Sequence, residues 1–393
     1  MGTGWGTEGA RCFGRSYRNL GGFPKAANRL NPDHGETFDW NLSGPVSHSN
    51  IGDHSSLCHS VICPRRQAGP VVAPLRRKAG SRVIAERRQI HMVCMGHGSP
   101  TVVMTAGLGD WSATWNKVQP VLATRVRVCA WDRAGFGFSG PSPDQQTIDQ
   151  TTTDLEQALK SAGIGGPYVL VGHSSGAYET LRFKDRHPTD VVGMVLVDPA
   201  YPDQAAISAR DTPAFAASTR RWDDGGAAAA GRCAARLRSG ELKEGGIDPD
   251  GCLAIPAEYP DLLKKRSLRL YANPEMWTTS ASLFATFATS SHLAVKENRA
   301  YGYMPLVVLT AGMPLEVPDA SPALKAELPT VQAEWQQQHD RLAALSSRGA
   351  NRRVEGTQHA IQQMKPLAVI KAVEDVISQR SKTAPWKGGL RQN

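Results

Sequence analysis

Ten residues, Tyr168 to Ala177, constrain this chain more than any others. Four strand-forming residues, Tyr168-Val169-Leu170-Val171, run into Gly172-His173-Ser174-Ser175-Gly176, and a helix-like stretch follows. A strand that turns sharply into a helix at Gly-x-Ser-x-Gly leaves its serine exposed at the edge of a sheet. The residues two positions either side must be small, and the start of a helix lies beneath the hydroxyl. Ser174 is therefore the candidate nucleophile, with the N–H of Ser175 as a first candidate donor for an oxyanion.

The surrounding chain reads as alternating strands and helices. Val83–Glu86 and Gln89–Cys94 alternate as two early strands of a hairpin. Thr101–Thr105, Val126–Trp131, Val191–Val197 and Pro305–Thr310 are short apolar runs. Helices are expected over Ser112–Leu122, Thr153–Ala162, from the elbow to about His187, and over Pro329–Leu345. Arg352–Gly356 reads as a last strand, and Lys365–Gln379 as a final helix. Uninterrupted apolar strands between amphipathic helices indicate a mostly parallel sheet covered on both faces, the α/β class. The alternation pauses between residues 200 and 296, which carry helical patterns without a buried strand. The expected organisation is a disordered basic arm over residues 1–81, a core over 82–199, a helical cap over 200–296, the rest of the core over 297–380 and a mobile tail over 381–393.

Charge follows this division. The net charge is +9. Residues 1–90 hold 13 Lys and Arg against six Asp and Glu, and the remaining residues hold 32 against 30. The basicity lies in the arm, where it reads as a solvated segment, and no nucleic-acid partner is expected. No run approaches the length of a membrane span. The first 30 residues lack a signal-peptide core, which points to a cytoplasmic protein. Cys58 and Cys63 lie near His54 and His59 in the arm, but the spacing and the Gly/Ser-rich setting do not make a zinc site.

A serine hydroxyl needs a base, a group to orient that base, and donors for the oxyanion. Of the histidines after Ser174, His187 ends the elbow helix, and His339 sits among Gln336, Gln337, Gln338 and Asp340 on what reads as a solvated face. His359 follows the last strand. In a parallel sheet that loop shares an edge with the elbow, so His359 is the expected base and His292, in the cap region, the runner-up. The acid has two places to come from. Asp198 ends the strand after the elbow helix, while Glu316 and Asp319 lie on the proline-broken loop after the next one. Asp198 is preferred because a strand end holds a carboxylate firmly. The second oxyanion donor is expected from Gly107-Leu108-Gly109, as the N–H of Leu108.

Taken together, Thr101–Gly109, Asp132–Ser139, the elbow, Val195–Pro199 and Gly356–His359 resemble the α/β-hydrolase family, specifically its small esterase-like members, over residues 90 to about 378. The resemblance implies an α/β-hydrolase fold with an eight-stranded, mostly parallel sheet and a helical cap after the sixth strand. It implies a Ser-His-Asp serine hydrolase acting on a small-molecule ester, or on an amide or thioester, with no metal or organic cofactor. Two features depart from the family pattern. Ala106-Gly107 stands where many members carry His-Gly, and the loop after the seventh strand lacks a clean Gly-x-x-Asp. Some members take their acid from the end of the sixth strand, which is where Asp198 lies. A serine at the elbow separates the chain from the dehalogenase and epoxide-hydrolase branches, which use aspartate there. Related extracytoplasmic members carry a cap cysteine pair like Cys233 and Cys252. If these are bonded, the pair implies a periplasmic or secreted protein; two free thiols are the alternative. The other functional class open to this fold is a non-catalytic binding protein for small molecules. The pattern sets no oligomeric state.

Overall fold

The computed structural model describes residues 81–85, 88–243, 247–255, 261–317 and 319–380. Residues 1–80 of the expected arm, the expected tail and the Cys58/Cys63 pair lie outside the described residues.

One eight-stranded sheet organises these residues, in the order β1-β2-β4-β3-β5-β6-β7-β8. The strands are β1 (Ser81–Ala85), β2 (Arg88–Met95), β3 (Thr101–Thr105), β4 (Val128–Trp131), β5 (Tyr168–His173), β6 (Val191–Val197), β7 (Leu306–Ala311) and β8 (Gly349–Val354). The pairs β1–β2 and β2–β4 are antiparallel, and every other pairing is parallel. Helices fill the connections. They are α1 (Gln119–Leu122), α2 (Ile148–Ser161), α3 (Gly176–Arg186), α4 (Gln204–Asp211), α5 (Pro213–Arg238), α6 (Asp261–Tyr271), α7 (Pro274–Ala285), α8 (Phe287–Leu293), α9 (Pro322–Ala343), α10 (Ile361–Met364) and α11 (Pro366–Arg380). Helices α4 to α8 all lie in the chain between β6 and β7.

Period-two alternation explains why the central strands are apolar throughout. Leu170 of β5 and Met194 and Leu196 of β6 pack on one face, with Leu155 and Leu159 of α2, Leu181 of α3 and Leu342 of α9. Their neighbours Val169, Val171, Val195 and Val197 pack on the other, with Trp115, Leu122, and Val369, Val373 and Val376 of α11. Burying each such side chain contributes roughly 1.5–3 kcal/mol, so a polar residue at any of these positions would be costly.

Three expectations about elements are corrected. Ser112–Leu122 is not one helix but a 3-10 turn, Ser112–Trp115, followed by α1. Pro120 falls in the first turn of α1, where its missing N–H removes no intrahelical hydrogen bond. Helix α9 begins at Pro322, capped by the Ser321 hydroxyl accepting from Leu324 N–H, and carries Pro329 in its interior. A proline read as a start signal is here a residue the helix runs through. His339 is not on a solvated face. It is fully buried, because α9 packs this residue against β7.

Two disulfides are formed, Cys94–Cys129 across the β2–β4 pair and Cys233–Cys252 between α5 and the turn after Asp248. The first pairing was not anticipated. Cys94 and Cys129 sit on separate apolar strands, and only the antiparallel register sets them opposite one another. No helix among the described residues is long and apolar enough to cross a membrane.

Candidate active site

Ser174 lies between β5 and α3 with φ of 52°, in the left-handed region that a side chain with a Cβ rarely occupies. A backbone strained in this way is held only by tight surroundings, and they are present. A Cβ on Gly172 would come within 2.4 Å of Thr180 Oγ1, and one on Gly176 within 2.6 Å of the Ala106 carbonyl oxygen. Both positions therefore accept glycine alone. Ser174 N–H donates to Val197 O, which ties the turn to the end of β6. The Ser174 hydroxyl has no hydrogen-bond partner among the described residues and is partly exposed.

His359 follows β8 and reaches the same edge. Its Nδ1 lies 2.7 Å from Asp198 Oδ2. Its ring stands 4.8 Å, centroid to centroid, from that of His173, the residue before Ser174. Asp198 ends β6 in a left-handed conformation, with φ of 41°. Its Oδ1 accepts from Ala311 N–H at 2.9 Å and from Trp335 Nε1–H at 3.2 Å. Burial pushes the Asp198 carboxyl up. The hydrogen bond and charge of His359, the charge of His339 and the Ala311 N–H outweigh burial, and the carboxyl is held below the usual carboxylate range. Of the three acids considered from the sequence, only Asp198 touches His359; Glu316 and Asp319 are exposed. His292 is exposed and paired with Asp203.

Ser175 belongs to the elbow, and Leu108 to the loop after β3. A Cβ on Gly107 would lie 3.2 Å from Ser174 Cβ, so the loop after β3 abuts the serine. Neither the Leu108 N–H nor the Ser175 N–H finds an acceptor among the described residues.

Five residues to which the sequence reading gave no role here shape this edge. The Arg133 guanidinium, buried, donates to Gly107 O at 2.9 Å and to Ala106 O at 2.8 Å. It also pairs with both carboxylate oxygens of Glu179, on the first turn of α3. This ion pair links the loop that carries Leu108 to the helix that begins beside Ser175. Burial, with the neighbouring His359, pushes His173 down to about 3, so it is neutral, and its Nε2–H donates to the His359 carbonyl at 3.1 Å. Finally, His339 Nε2–H donates to Pro199 O at 2.9 Å, and the Thr310 hydroxyl lies 2.6 Å from its Nδ1. Trp335, one helical turn before it on α9, supplies the second donor to Asp198. The one advance signal was the Asp132-Arg133 pair at the end of β4, where a strand end delivers side chains to the functional edge.

The arrangement sets a strained, unpartnered hydroxyl at the same sheet edge as an imidazole hydrogen-bonded to a carboxylate. Two N–H donors without acceptors complete it.

A family model described as "Alpha/beta hydrolase family" matches residues 93–372. The YqjL protein of Bacillus subtilis (strain 168), which is uncharacterized, is 38% identical over 113 residues, 29% of this chain and 45% of that protein. A protein of Gibberella zeae described as an AB hydrolase superfamily protein is 32% identical over 103 residues, 25% of this chain and 32% of its own length. The chain thus spans less than half the length of these curated relatives. Among solved structures, a mutant of an epoxide hydrolase from Bacillus megaterium superposes with a TM-score of 0.52 at 16% identity, covering 76% of this chain and 100% of that one. That likeness concerns the fold.

Proposed function

Because the chain belongs to the alpha/beta hydrolase family, we propose that it is a serine hydrolase that cleaves a small-molecule carboxylic ester. The observation that carries the reading is the 2.7 Å hydrogen bond from His359 to Asp198 beside the free hydroxyl of Ser174. Ser174 Oγ attacks the ester carbonyl carbon while His359 Nε2 takes the hydroxyl proton. Asp198 holds the imidazole by Nδ1 and stabilises the imidazolium. The N–H groups of Leu108 and Ser175 receive the oxyanion. On collapse the ester C–O bond breaks, and His359 returns the proton to the leaving alkoxide. Water, activated by the same imidazole, then attacks the acyl-enzyme. It releases the carboxylic acid and restores Ser174.

Residues 200–296 are read as the cap of this hydrolase, and the two disulfides favour an oxidising compartment over the cytoplasm. A cap loop closed by Cys233–Cys252 gains about 3 kcal/mol in the chain-entropy treatment. A fluorophosphonate probe should label Ser174, and Ser174→Ala should lose both labelling and ester turnover while melting at the same temperature. Undiminished turnover in a folded Ser174→Ala protein would remove the mechanism.

A further inference from the structure

Asp198 is held from two sides. Its Oδ1 accepts from Ala311 N–H at the end of β7 and from Trp335 Nε1–H at 3.2 Å, while Oδ2 lies 2.7 Å from His359 Nδ1. The first donor is backbone and comes with the sheet. The second comes from α9, where Trp335 and His339 stand four residues apart and so share a face of the helix. That face docks on two consecutive residues: Trp335 on Asp198, and His339 Nε2–H on Pro199 O at 2.9 Å. The indole is itself wedged in place. It stands edge-on to Tyr201 with 5.6 Å between centroids, and its centroid is 5.3 Å from that of the His339 ring. It is also edge-on to His359 at 6.2 Å, so it lies against both members of the pair. An indole N–H donates and accepts nothing. It can meet a carboxylate, but it cannot take over the work of a base.

We propose that Trp335 is a positioning residue for the acid: its N–H holds Oδ1, so that the carboxylate cannot rotate and Oδ2 stays on His359 Nδ1. The inference rests on the serine-hydrolase reading, because only there does Asp198 have a base to orient. The indole also draws charge towards Oδ1, which tempers the carboxylate's hold on an imidazolium. Removing the N–H therefore has two effects: the base is aimed less well, and a proton on it is held more tightly. The other titratable or charged groups around the pair are His173 at the end of β5, His339 and beyond it Asp340 on α9, and Arg133 after β4, paired with Glu179. Burial brings His173 down to about 3 and holds His339 below the ordinary imidazole range, which assigns the acid limb of the rate to His359.

The test is the rate at which a fluorophosphonate labels Ser174 in the full-length protein, followed against probe concentration and pH. Trp335→Phe keeps a ring beside Tyr201 and His339 but has no donor. Its saturating rate should fall by about 10-fold, and its half-saturating concentration should stay within about 2-fold. Its acid limb should move to higher pH. Should that variant not fold, Trp335→benzothienylalanine, which puts sulfur where the N–H stood, should give the same three results. An unchanged rate in a folded variant overturns the role. So does a higher half-saturating concentration at an unchanged rate, which would set Trp335 against the bound molecule and not behind the acid. A slower rate whose acid limb stays or moves to lower pH overturns it as well, because a merely loosened helix weakens the Asp198–His359 pair. The two levels separate in the unmodified protein. If Ser174 does not label there, the hydrolase reading falls and the role of Trp335 with it. If it labels and the variants match it, only the role of Trp335 falls.

Discussion

Two histidine–aspartate pairs of the same length sit at strand ends in this protein. His359 meets Asp198 at the end of β6, and His91 of β2 meets Asp132 at the end of β4, each at 2.7 Å. They differ in what surrounds the histidine. The His359 side chain is 42% exposed, lies against the residue preceding a strained serine, and belongs to a loop. The His91 side chain is 9% exposed, anchored on a strand, and packed edge-on against Phe138. Asp132 is buried and occupied by backbone: Oδ1 accepts from Ser112 N–H and Oδ2 from Phe138 N–H. A hydrogen-bonded His–Asp pair is thus no signature of catalysis by itself. When the imidazole is enclosed, the pair braces two loops. When one face is open beside a hydroxyl, it can move a proton.

The sharpest way to break this comparison is to remove each imidazole in turn. His359→Gln should lower ester kcat/KM by about 10⁴-fold or more, with little change in thermal midpoint. His91→Gln should do the reverse. Leaving Asp132 buried without its partner should cost roughly 3–5 kcal/mol of stability, read by urea titration. The protein that remains folded should keep turnover within about 10-fold of the original, a margin far below the loss that removing a triad member causes. Equal losses of activity in two equally folded variants would end the distinction.

The Arg133–Glu179 pair offers an intermediate case, since it is buried like His91 but touches the site. Arg133→Lys, which keeps the charge but cannot hold two carbonyls and a carboxylate in one plane, should lower kcat by about 10²-fold with KM nearly unchanged. If KM rises and kcat does not, the pair orients substrate and not the Leu108 loop.

A smaller effect should appear on acidification. The folded-state pKa of Asp198 is depressed, so its stabilising contribution is present above the ordinary carboxylate range and is lost as pH falls through the lower folded value. Asp198→Asn should therefore narrow the difference in urea midpoint between pH 7 and pH 3 relative to the unmodified protein. An unchanged pH dependence would show that the pairing with His359 contributes nothing to folding.

Much of this arrangement was legible along the chain. Ser174 and Asp198 each stand just beyond an apolar strand and His359 follows the last, polar one, and parallel strands deliver all such positions to one edge. That one rule located them without any knowledge of distance. It did not separate Asp198 from Glu316 and Asp319, because all three follow strands on that edge. The choice depends on where β8 sets His359, and the sheet order places β8 next to β7 and two strands from β6. His339 was misread for a related reason. Glutamines and an aspartate flank it, so the local pattern looks polar, yet its helix turns His339 towards Thr310 and Pro199.

What the sequence determined by itself was periodic: the apolar strands, the glycines around Ser174 and the order of elements follow from steric rules acting over a few residues. What tertiary structure alone decided were the long-range partners. Arg133 with Glu179, His173 with the His359 carbonyl and Cys94 with Cys129 depend on register and on helix packing across tens to hundreds of residues. A polar side chain's partner is whichever group the folded backbone brings within about 3 Å, and no local pattern encodes that distance.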